Sequence, residues 1–470
     1  MAAPLIESLI KTTHPAHHAA IHSWQICRDA YEGELAIKAR NREDYLPRLG
    51  GQEGRDYENY IQRAVFYPVM STVVNGRIGQ VFNKPPQMEE LPDSVAEWMD
   101  QEVTKERTDF TGSLKSVLRE VLICGRVGIL VDMPTDPVEG SIPYLCTYKA
   151  EDIKNWQKGP DDYLTMVTLC EYPIETGYTE EGEFKMYQTI QYRHLALNEE
   201  GQYIQQVFRE EEGQVTLIEE TMPTVSGVPL DYIPFTFINV SDITSNVDKP
   251  PLLDMATVNM AHYRNSADYE QVLHMLAVPT PYGTGIDDDE ALQTLGPLEF
   301  KAIRSEGAKL GLLEFSGAGT SALRSSMEEK MAVMSAIGGA LVQRQRSQVE
   351  TAETARIRSA SETSTLETVC DTLEQGMEQV LSHVMVWLQI GEESIPMKIS
   401  INRDFINEQW APDQIKAITE AELMGVISKE TAFHQRQMLE FYPEGTTFDD
   451  EQERISMRPG NLPDEVIEEA

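Results

Sequence analysis

LLDMATVNMAHYRNSADYEQVLHMLA, residues 252–277, and TSALRSSMEEKMAVMSAIGGALV, residues 320–342, are two helical patterns enclosing a segment of a different kind, VPTPYGTGIDDDEALQTLGPLEFKAIRSEGAKLGLLEFSGAG, residues 278–319. In the second pattern Leu323, Met327, Met331, Met334 and Leu341 recur three or four residues apart, which sets them on one stripe of a helix. The insert is dense in proline and glycine, which removes backbone donors and favours turns over helix. Thr320 or Ser325 can cap the returning helix, and Ser325 has Glu328 at the capping-box spacing. Helix, non-helical insert and returning helix form the frame from which the rest of the chain is read.

Downstream, a short polar junction leads into the longest helical pattern. From about 352 to 390, Leu366, Cys370, Leu373, Met377, Val380, Val384 and Leu388 keep the same repeat. Some forty helical residues would span about 60 Å, enough to cross a large domain or assembly. SIPMKISINRDF, 394–405, reads as a strand, and the end from 411 is helical and acidic.

Upstream, residues 1–80 read as mostly helical. Ile21, Trp24, Cys27 and Tyr31 share one face, and further helices are expected around Tyr57–Val65 and Val69–Val81 before Pro85-Pro86 stops the pattern. SLKSVLREVLICGRVGILVD, 113–132, gives a helix with Leu114, Val117, Leu118, Val121 and Leu122 on one face, a left-handed cap at Gly125, and a short buried strand, GILV. Between about 140 and 240, LTMVTLCEY, KMYQTIQYRHLAL, YIQQVFRE and QVTLIEE alternate with polar and glycine turns, and PFTFINVSD is one more strand. Such runs predict antiparallel hairpins. The fold class expected is α+β, mostly helical.

Lysine and arginine total 39 against 77 aspartates and glutamates, a net charge of −38. A protein that grips nucleic acid tightly shows the opposite sign. The excess fits high solubility and equally a surface that faces a polyanion without holding it. No stretch reaches the roughly 18 apolar residues of a membrane helix, and the start, MAAPLIESLIKTTHP, does not read as a secretory signal. A cytoplasmic protein with no membrane contact is expected. The five cysteines are widely spaced without a CxxC, so neither a disulfide framework nor a zinc site is suggested. Cys124 and Cys370 sit in apolar patterns and read as core.

The candidate chemistry is sparse. His14, His18 and His22 stand at i, i+4 and i+8, a spacing that one helix face can offer a metal, but Pro15 intervenes and no carboxylate stands at ligand spacing. A helix start with exposed imidazoles is the competing reading. IDDDE, 286–290, lacks the alternating ligands and glycine of a calcium loop. GRVG, 125–128, follows a helix and precedes a strand, the wrong order for a phosphate loop, with no GK[ST] after it. GxSxG and HExxH do not occur. No enzyme activity, cofactor or metal is expected. One island breaks the acidic background: QRQRSQVETAETARIR, 343–358, has four arginines against two glutamates. It reads either as a surface helix with i,i+4 pairs or as a basic segment offering weak phosphate contacts.

This order of elements resembles that of the portal proteins of tailed bacteriophages. YLPRL at 45–49, YENYIQRAVFYPVMSTVVNGRIGQVFNKPP at 57–86, LREVLICGRVGILVD at 118–132, YKAEDIKNWQ at 148–157 and ETAETARIRSASETSTLETVCDTLEQGMEQVL at 350–381 are similar to one portal family, formally an uncharacterised-domain family. The resemblance implies a ring-forming portal fold. Its wing would be residues 1–251, rejoined by 353–410. The stem helices would be 252–277 and 320–342, the clip 278–319, the tunnel loop 343–352 and the crown 411–470. It also implies a homo-oligomeric ring of about twelve subunits at the capsid vertex of the virion, assembled in the host cytoplasm. The implied partners are the major capsid protein, the terminase large subunit and tail adaptor proteins. Contact with double-stranded DNA would be transient and non-specific. In that frame Arg344 and Arg346 would be the DNA-contacting tunnel-loop residues, and Ala332, Ala336, Gly338 and Gly339 would pack stem helices together; an ordinary helix with a glycine-loosened end is the plainer account of the last four. Another head–tail adaptor or minor capsid protein is the alternative class, and a cytoplasmic hydrolase a more distant one.

Overall fold

The computed structural model describes residues 8–40, 42–48, 50–52, 54–134, 141–178, 184–211, 213–277, 280–284, 307, 309–313, 319–338, 352–390, 397–403, 412–438, 441 and 446–456. Of the described residues, 50% are helical and 23% lie in strands, the α+β class expected. It divides into two compact units, Met1–Arg403 and Asp404–Ala470.

The first unit opens with helices α1 (Pro15–Glu32), α2 (Glu34–Ala39), α3 (Arg42–Tyr45), α4 (Gly54–Arg63) and α5 (Val69–Val81), then a short strand β1 (Gln87–Glu89) and helices α6 (Asp93–Met99) and α7 (Phe110–Cys124). Strands follow: β2 (Arg126–Asp132), β3 (Tyr144–Lys149), β4 (Ile153–Lys158), β5 (Leu164–Glu171), β6 (Ile174–Tyr178), β7 (Phe184–Gln188), β8 (Ile190–Leu197), β9 (Tyr203–Glu211), β10 (Gln214–Thr221), the short β11 (Thr224–Val225) and β12 (Val228–Pro229), and β13 (Phe235–Asn239). Then come helix α8 (Leu253–Ala277), strands β14 (Thr280–Thr284) and β15 (Lys309–Leu313), helices α9 (Thr320–Gly338) and α10 (Ala352–Trp387), and strand β16 (Lys398–Ser400).

Two antiparallel sheets carry the strand-rich part, one in the order β10-β9-β8-β5-β4 and one in the order β13-β2-β3. Strand β2 lies at the centre of the smaller sheet with every residue buried. Helix α7 stops where Gly125 turns left-handed, φ 75°, and its N–H bonds back to the Val121 carbonyl. A side chain at Gly128 would collide with the Phe235 ring across the ladder, so β13 and β2 meet only because that position is bare. The long helix α10 lies against β13, and Gly376 leaves room for the Ile238 side chain: a Cβ there would fall 2.5 Å from Cγ1 of Ile238.

A buried ion cluster fastens the helical layer to the strands. Arg28 on α1 makes a two-pronged bond to Glu120 on α7, at 2.6 and 3.0 Å, and reaches Glu151, in the turn before β4, from Nε at 2.8 Å. Burial works against the charge of Glu151, yet the hydrogen bonds and attraction of Arg28 overcome it and hold its carboxyl below the ordinary range. With both carboxylates engaged, the guanidinium is satisfied, the condition under which a buried charge is tolerated.

Several elements differ from the sequence reading. KMYQTIQYRHLAL is two strands in two different sheets, β7 and β8, broken at Thr189. Within SIPMKISINRDF the strand among the described residues is Lys398–Ser400, β16, which pairs with β1 as Met88↔Ile399. Helix α9 starts at Thr320, so Ser325 lies inside it, and Glu328 pairs with Arg324 at 3.1 Å instead of closing a capping box. Strands β3 and β4 went unread, because their apolar residues alternate too irregularly to show the period of two.

The second unit consists of α11 (Pro412–Leu423), α12 (Lys429–Met438) and α13 (Phe448–Ser456) around Ala432 and Phe433. Phe433 meets Phe448 edge-on at 5.6 Å, and Arg436 is paired with Glu422.

Glycine substitutions test the close approaches. Gly376→Ala is expected to lower stability by about 1–3 kcal/mol through overpacking against Ile238. Gly79→Ala, in α5 with open space around it, is expected to raise it by up to about 1 kcal/mol. Urea unfolding of both variants beside the parent decides it.

Candidate assembly surface

Helix α8 begins as a core helix and ends as a projection. Met255, Ala256, Met260, Tyr263 and Ala267 are buried at helical spacing, and beyond Ala267 no residue of the helix is buried. Its last ten residues, 268–277, about 15 Å of helix, are half-buried as far as Val272 and mostly exposed from Leu273 onward. The return is similar: on α9 the buried residues are Met334, Ser335 and Gly338, all at its end. Chain order makes the two helices antiparallel, and Asn265 donates to the Ser326 hydroxyl at 3.0 Å across the pair. The tip carries the antiparallel β14–β15 pair, Tyr282 facing Gly311.

The root is fixed by side chains that bond to the backbone between α4 and α5. Asn259 Nδ2 donates to the Tyr67 carbonyl at 3.0 Å, and the Ser266 hydroxyl donates to the Val65 carbonyl at 2.7 Å and accepts from the Val65 N–H at 3.1 Å. The Tyr60 hydroxyl donates to Asp268, and Arg63 to Gln271. The Tyr67 ring meets His262 edge-on at 4.9 Å. His262 is buried, its Nδ1 has no hydrogen-bond partner among the described residues, and burial, then Lys330, pushes its pKa below the usual value. Where α8 starts and α9 ends, Leu122, Leu252, Ile337, Leu366 and Val369 line a cavity of about 130 Å³.

Of the small residues expected to pack stem helices, Gly338 is buried against the body, whereas Ala332 and Ala336 are exposed beside the exposed Val333. Gly339, Arg344 and Arg346 lie outside the described residues, as does IDDDE at 286–290. Arg356 and Arg358 lie in the backbone helix α10.

Other candidates have structural roles. His14 caps α1, its Nδ1 accepting the Ala16 N–H at 3.1 Å, and its ring stacks on Trp156 at 3.9 Å. It is half-buried rather than exposed, while His18 and His22 are exposed. The buried imidazole of the segment is His17, with Nε2 3.0 Å from the Glu151 carbonyl. Among the described residues no three His, Cys, Asp or Glu side chains gather as for a metal, and no helix is long and apolar enough to cross a membrane. All five cysteines are free and buried, and burial pushes the thiols of Cys27, Cys146 and Cys370 up to about 12.

Arg126, in the segment read as a helix cap, is fully buried between the rings of Trp156 and Phe237, 4.2 Å from each centroid. None of its three nitrogens has a hydrogen-bond partner among the described residues. Burial lowers its pKa to about 9, against the pull of Asp242 and Asp248. The one signal for it in the sequence is a charged residue directly before the apolar run VGILV, 127–131.

Residues 251–388 match a family model described as a domain of unknown function, DUF4055. That span takes in α8, the β14–β15 insert, α9 and α10. No curated protein matches the chain. Among solved structures, a chain from the neck of an empty gene transfer agent particle, computed with C6 symmetry, is 11% identical with a TM-score of 0.39, covering 86% of this chain and 99% of that one. A chain from the virion of a native gene transfer agent particle is 12% identical with a TM-score of 0.39, covering 83% and 95%. One from the neck of the native particle, computed with C12 symmetry, is 11% identical with a TM-score of 0.39, covering 83% and 96%. These are partial likenesses of shape.

The buried imidazole at the root gives a pH test. Folded His262 resists the proton that the unfolded chain accepts near 6.5, so stability is lost as pH falls below that value. Thermal melts between pH 7.5 and 5.5 should show the parent losing more stability than His262→Phe. Equal losses would remove His262 from this role.

Proposed function

We propose that this chain is the portal subunit of a tailed-phage-like particle, a ring through which the genome enters and leaves the head. The observation that carries this reading is the projecting helix pair: α8 and α9 leave the body with Leu273, Met275 and Val333 exposed, and their tip bears a β-stranded insert. Helices with apolar residues in solvent are stabilised by packing on further helices, and a ring of identical copies provides them.

In this reading the wing is 1–251 with 353–410, the stem 252–277 with 320–342, the clip 278–319, the tunnel loop 343–352 and the crown 411–470. The wing meets the capsid. The clip meets the terminase during packaging and the tail adaptor afterwards. Copies at −38 each make a strongly acidic ring. Duplex DNA carries one negative charge per about 1.7 Å of axis, and at physiological salt repulsion acts over about 8 Å. An acidic wall therefore keeps DNA off the surface and lets it slide. Arg344 and Arg346 supply brief phosphate contacts at the constriction.

A portal is needed before DNA enters, whereas an adaptor is needed only afterwards. Heads assembled without this chain should contain no packaged DNA, and the purified protein should show rings with a central channel in negative stain. Filled heads in its absence would move it to the adaptor class. The double variant Arg344→Ala, Arg346→Ala should assemble normally but lower the yield or retention of packaged DNA; parental packaging and retention would remove the two arginines from the mechanism.

A further inference from the structure

Strands β6 and β7 form a two-stranded ribbon apart from the five-stranded sheet. It continues the hairpin of β5 and β8, since Ile174 pairs with Gln188 while Glu171 pairs with Gln191. The two faces differ sharply. On one, Glu175 is held by Arg209 at 2.5 Å and the Tyr187 ring lies over Gly177. The other carries Tyr172, Ile174, Phe184, Met186 and Ile190, alternating as strand geometry requires. Ile174 is 65% exposed, and Phe184 and Met186 are each 61% exposed. A lone two-stranded ribbon is marginal in water, and an apolar stripe along it is an association site.

Charge narrows the occupant. Residues 171–190 contain five glutamates and one lysine, which argues against nucleic acid or an anionic lipid surface. A partner surface must offer apolar area and be less acidic than the rest of this chain. The corner formed by α2 to α4 does both. Leu35 is 85% exposed there, and residues 34–63 hold six basic and six acidic side chains, a neutral stretch in a chain of net −38. The ribbon stripe offers on the order of 500 Å², short of the roughly 800 Å² per partner of a stable interface. It therefore cannot hold a pair of subunits alone, and the exposed side of the α8–α9 projection supplies the remainder.

We infer that the apolar face of the β6–β7 ribbon docks on the Leu35 corner of a neighbouring copy of this chain. Donor and acceptor are different surfaces, so the contact is head-to-tail and propagates around a ring. The inference rests on the ring reading above and names one contact within it.

The test uses the full chain, read by light scattering and negative stain at a concentration where the parent is assembled. Ile174→Glu with Met186→Glu, and separately Leu35→Glu, should each cut the ring fraction about tenfold or more, with parental circular dichroism and melting. Tyr187→Glu, on the opposite face, should leave rings intact. A parent that forms no rings sinks the portal reading itself. Parental rings that persist in Ile174→Glu, Met186→Glu overturn the ribbon contact alone. Rings lost there but kept in Leu35→Glu overturn the pairing with that corner. Rings kept in both that fail to enter heads would give the ribbon to the capsid shell instead.

Discussion

Helix α8 runs from Leu253 to Ala277, but the body buries its side chains only as far as Ala267 and bonds them only as far as Gln271. That mismatch governs much of the rest. A helix held at one end acts as a lever, and its root needs bonds that do not slide. Apolar contact alone is non-directional, so the root also uses Asn259 and Ser266 to clasp the backbone around Val65 and Tyr67. The residues between α4 and α5 thereby bond to a helix some two hundred positions later.

The two buried arginines show the two ways this chain handles charge in its interior. Arg28 has two carboxylates and is a structural rivet between α1, α7 and the turn before β4. Arg126 has two aromatic faces and no hydrogen-bond partner among the described residues. Ring quadrupoles attract a cation by about 2 kcal/mol when desolvated, less than the several kcal/mol that burying a charge costs. Its lowered pKa expresses that deficit. The neighbouring Gly125 lies against the backbone of Lys249 and Pro250, just before α8, so this costly residue stands where the sheet hands over to the projection.

What was legible in the sequence was what repeats locally. The helices α8 and α9, the glycine cap after Cys124 and the long helix α10 are periodic or punctuated within a few turns, and the structure has them. What was hidden depends on distance. Arg28 finds Glu120 and Glu151 at separations of 92 and 123 residues, and no local pattern marks the match. His14, His18 and His22 stand at i, i+4 and i+8, but the buried face runs through His17 and Trp24, two turns apart and sharing the phase of the core. The break at Thr189 was hidden because strand propensity says nothing about which sheet a strand joins. The exposed stripe of β6 and β7 could have been read as an alternating strand with its apolar face inward; only the structure shows that face to be outside.

Charge and apolar exposure divide the surface between two tasks. A chain at −38 repels its own copies, so assembly cannot rest on average electrostatics and must be local, dry and specific. The apolar stripe of the ribbon, the distal faces of α8 and α9, and the near-neutral corner around Leu35 are exceptions to the acidic surface. If copies meet at these exceptions, the acidity left over faces the solvent and whatever passes through the assembly. In the proposed ring, the same sequence bias that argues against tight nucleic-acid binding would serve the channel: subunits that hold one another by apolar contact leave their negative charge on the open face.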